Sequence, residues 1–183
     1  VKISAASQND AERKKAVEIL SRLLFGKSTE ILNLHPDCFE LFLQRFYDRE
    51  DSIRLACVRE LRELVSHVDW PAEIFAILNA VHTDKSEIVR GEVILTIMAF
   101  AEKSPGIFSD HKNLMNCLAG RATDVSRHVR KIVIGELAEF YRKYNDYDED
   151  SVTRAAEIVL KCYRTDDQKE KFFIERKLDC WFQ

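Results

Sequence analysis

Residues 82–93 read HTDKSEIVRGEV and hold an acid, Asp84, and a base, Arg90, six positions apart, with Val89 directly before the arginine. The arrangement recurs in DREDSIR (48–54), where Asp48 precedes Arg54 by six and Ile53 stands before the arginine. It recurs again in DVSRHVR (124–130), with Asp124, Arg130 and Val129. A lone exposed pair of this kind contributes about 0–1 kcal/mol. Three copies in one register require a common structural cause.

The residues after each arginine supply it. The stretches IRLACVRELRELV (53–65), VRGEVILTIMAFA (89–101) and VRKIVIGELAEFY (129–141) carry apolar or thiol side chains at matching offsets from the Ile or Val. These are Cys57, Val93 and Val133, then Val58, Ile94 and Ile134, then Leu61, Ile97 and Leu137, then Leu64, Phe100 and Phe140. Together they form one wide apolar helix face, written three times. Six residues before each aspartate stand Phe42, Leu78 and Leu118, and nine before stand Phe39, Phe75 and Met115. Each unit therefore reads as helix, tight turn with Asp, and a second helix beginning near Arg. Successive aspartates lie 36 and 40 residues apart. Two-helix repeats of ~40 residues predict an all-α fold, an α-solenoid of HEAT-type helical repeats forming an α-α superhelix. In such a stack the turns align. Asp48, Arg54, Asp84, Arg90, Asp124 and Arg130 are then expected to form a structural ladder, each acid facing a base of its own or a neighbouring repeat.

Helix punctuation extends the pattern along the chain. Asn9 is placed to cap a first helix, with Glu12 as its reciprocal capping-box partner, Val17, Leu20 and Leu24 as its stripe, and Gly26 as its stop. A short helix is expected through STEILNL (28–34), and Pro36 or Asp37 opens the next one through Tyr47. Asp51 or Ser52 starts a helix to Val68, Asp69 one to His82, and Ser86 one to Lys103. SPG (104–106) is the clearest break, followed by helices over 111–122, 126–144, 151–163 and 167–182. NDYDED (145–150) reads as the longest loop. The expected organisation is a single HEAT-repeat array over 1–183, about four to five helix pairs. The terminal CWFQ leaves an apolar end where a capping repeat would be polar, so the chain reads as a fragment of a longer solenoid.

Composition narrows the function classes. Hydrophobic residues make up 46% of the 183 and suffice for a sizeable core, and the net charge of −3 provides no bulk basic field for nucleic acid or an anionic membrane. Five cysteines without a C-x-x-C pair, with Cys57, Cys117 and Cys162 at core offsets, read as buried reduced thiols. No apolar run approaches the ~20 residues of a membrane span. Phosphate-loop, dinucleotide, zinc-protease and nucleophile-elbow motifs are absent, and no two histidines fall at i, i+4. No catalytic, metal or cofactor-binding residue is assigned. Phe39, Phe42, Phe46 and Tyr47 read as core.

Two basic clusters are the candidates for partner binding. One is Arg54, Arg59 and Arg62; the other is Arg121, Arg127, His128, Lys131, Arg142 and Lys143. Second helices of HEAT-type repeats line the concave face, where such residues would meet an acidic peptide. The competing reading pairs Arg59 and Arg62 with Glu60 and Glu63, and assigns Arg142 and Lys143 to a helix C-terminal dipole. Lys131, beside Arg130 and one turn from Arg127, is the strongest of the set.

These residues carry a resemblance. RFYDREDSIRLACV (45–58), VRKIVIGELAEFYRKY (129–144) and ERKKAVEILSRLLFG (12–26) resemble motifs that occur together in the precocious-dissociation-of-sisters family of cohesin cofactors. YRTDDQKEKFFIERKLDCWF (163–182) looks like that family's continuation, whereas HTDKSEIVRGEV matches only the generic ladder and NDYDED looks shorter than in relatives. The resemblance implies a nuclear, chromatin-associated, non-enzymatic scaffold. Its implied partners are the cohesin kleisin subunit and the cohesin release factor, with a role in acetylation-dependent maintenance of cohesion. Some members are similar in binding an inositol polyphosphate; no other cofactor is implied. The matched motifs are core and ladder positions and transfer no interface residue. The alternatives are a generic HEAT adaptor for peptides outside cohesin, and a HEAT-fold enzyme acting on DNA bases. The second would need a basic groove with free aromatics.

Overall fold

The computed structural model describes residues 5, 7–25, 35–65, 70–146 and 150–182. Among them every regular element is a helix. In chain order these are α1 (Asp10–Phe25), α2 (Pro36–Gln44), a 3-10 turn (Arg45–Tyr47), α3 (Asp51–Leu64), α4 (Ala72–Val81) and α5 (Glu87–Lys103). They continue with α6 (Ile107–Asp110), α7 (Lys112–Arg121), α8 (Arg127–Tyr144), α9 (Asp150–Cys162) and α10 (Gln168–Asp179). The helices form two compact units, Val1–Lys103 and Ser104–Gln183.

In the first unit α3 packs against both α1 and α5. The repeated apolar offsets explain why: Ile53, Cys57, Val58 and Leu61 are fully buried, as are Val93, Ile94 and Ile97 of α5. Leu64, at the edge of the same face, is half-buried. Phe25 gathers the rings of Phe39, Phe42 and Trp70 at centroid distances of 6.1, 5.6 and 4.5 Å. Phe100 receives Trp70 at 5.5 Å and Phe75 at 5.1 Å. Tyr47 departs from its expected core place and is 64% exposed, while Phe46 is buried. Tyr47 directly follows Phe46 in the 3-10 turn that ends α2, and adjacent residues on a helix face different directions.

In the second unit α8 packs against α9 and α10. Val129, Val133, Ile134, Leu137 and Ala138 form its buried face, and Ala155, Val159 and Ile174 are buried opposite. Trp181 returns to α8, where its ring lies 4.3 Å from that of Tyr141 and its Nε1 donates to the Ala138 carbonyl at 3.0 Å. Phe182 is 88% exposed.

Three further details differ from the sequence reading. α6, a four-residue helix after SPG, was not expected; it buries Ile107 and Phe108, the latter 5.5 Å from Phe140. Asn9 accepts from the Ala11 N–H as a cap, yet its own N–H goes to Ser7 Oγ, so the Glu12 half of the capping box is not needed. Cys162 is half-buried, whereas Cys38 joins Cys57 and Cys117 in the core. Gly26, STEILNL, the chain around Asp69, His67 and the middle of NDYDED lie outside the described residues.

Candidate functional site

Each repeat turn is closed by a side chain at the aspartate position. Oδ1 of Asp48, Asp84 and Asp124 accepts from the N–H two residues on, in Glu50, Ser86 and Ser126, at 3.1, 2.8 and 2.8 Å. Six residues later the arginine turns back. Arg54 Nη1 donates to the carbonyls of Asp48 and Arg49 at 2.7 and 3.2 Å. Arg90 does the same to Asp84 and Lys85, and Arg130 to Asp124 and Val125. The six-residue spacing thus brings the arginine to the aspartate's backbone. The carboxylates of Asp48 and Asp84 also serve the preceding repeat.

Arg54 shows the arrangement: its Nε and Nη2 donate to Oδ2 and Oδ1 of Asp84 at 2.6 and 2.8 Å, a two-pronged fork across repeats. Asp48 receives the same fork from Arg13 at 2.9 and 3.0 Å, and Arg45 adds a third donor at 2.9 Å. The Arg13, Asp48, Arg54 and Asp84 side chains are almost wholly removed from water. Burial pushes the Asp48 carboxyl upward, but the Arg13 and Glu50 hydrogen bonds and the neighbouring cations outweigh it, leaving the group below its usual range. The same opposition, with Arg54 and Ser86 as donors, depresses Asp84. Hydrogen bonding to their acids raises Arg13, Arg54 and Arg130 against the opposing effect of burial.

Two repeats carry a hydroxyl instead of an acid at this position. Arg13 donates to the carbonyls of Ser7 and Gln8, and Ser7 Oγ accepts from Asn9, so Ser7 occupies the aspartate position one repeat earlier. Thr165 occupies it one repeat later, its Oγ1 accepting from Asp167 N–H at 3.3 Å. The usable signal was the turn-closing capacity of any short oxygen side chain, not negative charge. Without a carboxylate at Thr165, the Arg130 fork goes instead to Glu170 in the first turn of α10, at 2.9 and 2.7 Å.

The candidate binding cations are dispersed. Arg59 and Arg62 lie 3.1 and 3.0 Å from the buried carboxylate of Glu92 on α5. Glu60 instead accepts from Ser21 at 2.6 Å, because adjacent residues on a helix point in different directions. Arg127 pairs with Asp167 at 2.7 Å, Arg121 with Asp124 at 2.6 Å and Arg142 with Glu139. Lys131 Nζ sits 5.7 Å from the Phe173 ring centre and Lys143 5.2 Å from that of Tyr144. Arg127 and Lys143 are separated by roughly 24 Å of helix at 1.5 Å per residue, so the second cluster is spread along α8. Lys131, Arg142 and Lys143 remain exposed. Such a spread suits an extended chain better than a compact polyanion. The cations named from sequence do not fit the inositol polyphosphate implied by the resemblance.

Comparison with known proteins agrees with this architecture. A solved structure of the Pds5–Scc1 complex, with implications for cohesin function, superposes with a TM-score of 0.84 over 96% of this chain and 28% of that one, at 16% identity. A designed armadillo repeat protein in complex with the peptide (KR)4 superposes at 0.50 over 97% of this chain and 96% of that one, with 14% identity. Sister chromatid cohesion protein PDS5 homolog B is 28% identical over 177 residues in both Gallus gallus and Homo sapiens. In each case the match covers 93% of this chain, which spans 12% of the relative's length. The family model described as Sister chromatid cohesion protein PDS5 matches residues 4–180, and the chain belongs to that family.

Proposed function

We propose that this chain is part of a non-enzymatic HEAT-repeat scaffold that regulates sister chromatid cohesion by binding the kleisin subunit of the cohesin ring and its release and maintenance factors. The observation that carries the reading is family membership over residues 4–180, with the fold shared by a Pds5–Scc1 complex in support. Such a protein works on chromatin in the nucleus. The mechanism is docking of an extended segment along helix surfaces, without bond chemistry. Lys131, Arg142 and Lys143, exposed along α8, are the cations of this segment offered to an acidic stretch of partner. No helix among the described residues is long and apolar enough to cross a membrane.

The test is retention of the kleisin central region by the intact protein that carries this segment. Wild-type protein should retain it, and the variant Lys131→Glu/Lys143→Glu should retain less, with unchanged circular dichroism. Absence of retention by correctly folded wild-type protein would sink the proposal. Undiminished retention by the charge-reversed variant would remove α8 as the contact.

A further inference from the structure

A cavity of about 480 Å³ opens in the second unit, lined by residues of the α7–α8 turn, α9 and the α9–α10 turn. We infer that it is a docking pocket for a linear acidic peptide that inserts one apolar side chain. The inference does not depend on the kleisin reading, which concerns the exposed cations of α8.

The pocket lies at the altered rung of the ladder. At Asp48 and Asp84 the turn carboxylate enters the preceding arginine's fork, and hollows of about 260 and 410 Å³ remain beside those rungs. Here Thr165, shorter and uncharged, stands at the turn position, and the Arg130 fork is occupied by Glu170. Thr165, Arg130 and Glu170 all line the pocket. Its walls are small or apolar where they come from Ala119, Ala122 and Ile158. The volume falls within the ~300–1,000 Å³ of ordinary ligand pockets, with room for a Leu- or Phe-sized side chain.

The charge around the pocket is one-sided once internal pairs are set apart. Glu170 is committed to Arg130, and Glu157 lies 3.5 Å from Lys161. Arg154 is oriented by the side-chain oxygen of Asn116, which is neutral and leaves its charge in place. Arg164 is exposed on the α9–α10 turn. Two guanidiniums therefore flank an apolar hollow. An acidic peptide meets both features, its carboxylates on Arg154 and Arg164 and its apolar side chain over Ile158. A free phosphate compound would bury no apolar surface and would leave the hollow over Ile158 empty, which favours the peptide.

Cys162 lines the same pocket and acts as a built-in reporter, while Cys180 is exposed elsewhere. The probe is a fluorescein-labelled peptide of alternating Asp, Leu and Glu, titrated by anisotropy into the intact protein. Iodoacetamide alkylation at each cysteine is followed by peptide mass mapping. The expected result is saturable binding that slows Cys162 alkylation at least threefold and leaves Cys180 unchanged. Arg154→Glu/Arg164→Glu, both at exposed positions, should weaken binding at least tenfold, and Ala119→Phe should block it by filling the hollow. The proposal is overturned by an unchanged Cys162 rate at saturation, or by undiminished affinity of the charge-reversed variant. It is equally overturned if inorganic phosphate protects Cys162 as well as the peptide does.

Discussion

The guanidinium of Arg54 holds two carbonyls of its own turn and the carboxylate of the next, so its loss exposes groups on both sides. Arg54→Ala leaves Asp84 as a buried carboxylate without its fork, at a cost of about 3 kcal/mol. Arg54→Lys should recover less than half, because an ammonium is a point charge and cannot present two parallel N–H groups together with a third to the carbonyls. Urea unfolding of the three proteins at neutral pH checks this; equal midpoints for wild type and Arg54→Ala would contradict it. Protonation attacks the same pairs. The folded-state pKa values of Asp48 and Asp84 lie below the ordinary carboxylate value, so the unfolded chain binds the proton first. Their contribution is complete above the unfolded value of 3.8 and is lost as pH falls through the depressed folded values. Unfolding midpoints measured from pH 6 to pH 2.5 should fall for wild type. The fall should be shallower for Arg54→Ala, which has already lost one pair.

At the scale of elements, α8 combines a strong pattern with a weak residue. Its buried face repeats that of α3 and α5, yet Gly135 sits in mid-helix, and its backbone has no positive φ to justify a glycine. A Cβ there would meet Phe173 at 3.7 Å and Lys177 at 3.9 Å, ordinary contact distances. Gly135→Ala should therefore stabilise the protein by about 0.5–1 kcal/mol through the lost flexibility of the unfolded chain. A thermal midpoint that fails to rise would mean that α8 and α10 are packed more tightly than these distances indicate. The helices themselves were legible, because the 3.6-residue recurrence of Leu, Ile, Val and Phe survives any local accident. α6 was not, since four residues are too few for a period to show. Tyr47 is exposed because it directly follows buried Phe46, and adjacent helical residues face different directions, so a run of aromatics cannot all enter the core.

Across the whole molecule the cysteines report how burial is distributed. Cys57 and Cys117 are buried, and burial pushes their thiols up, to about 11 for Cys117 and well above the ordinary value for Cys57. Cys38 is buried, Cys162 half-buried and Cys180 exposed. Iodoacetamide at pH 8 should label Cys180 first and Cys162 later, leaving Cys38, Cys57 and Cys117 protected until the chain unfolds. Early labelling of Cys57 would contradict the packing of α3 between α1 and α5.

Sequence alone specified the long helices, their apolar faces and the register of the repeat. These depend on local periodicity and on turn residues a few positions apart, and both are written along the chain. The resemblance carried by RFYDREDSIRLACV and VRKIVIGELAEFYRKY was legible for the same reason, since those motifs lie on core and turn positions. Tertiary structure decided who pairs with whom. Asp84 and Arg90 share a turn in the sequence, yet the Asp84 carboxylate is held by Arg54, thirty residues earlier. Glu92 gathers Arg59 and Arg62 across two helices, and Glu170 takes the Arg130 fork where Asp48 and Asp84 take those of Arg13 and Arg54. A long charged side chain chooses its partner by distance and desolvation in three dimensions, and linear spacing encodes neither.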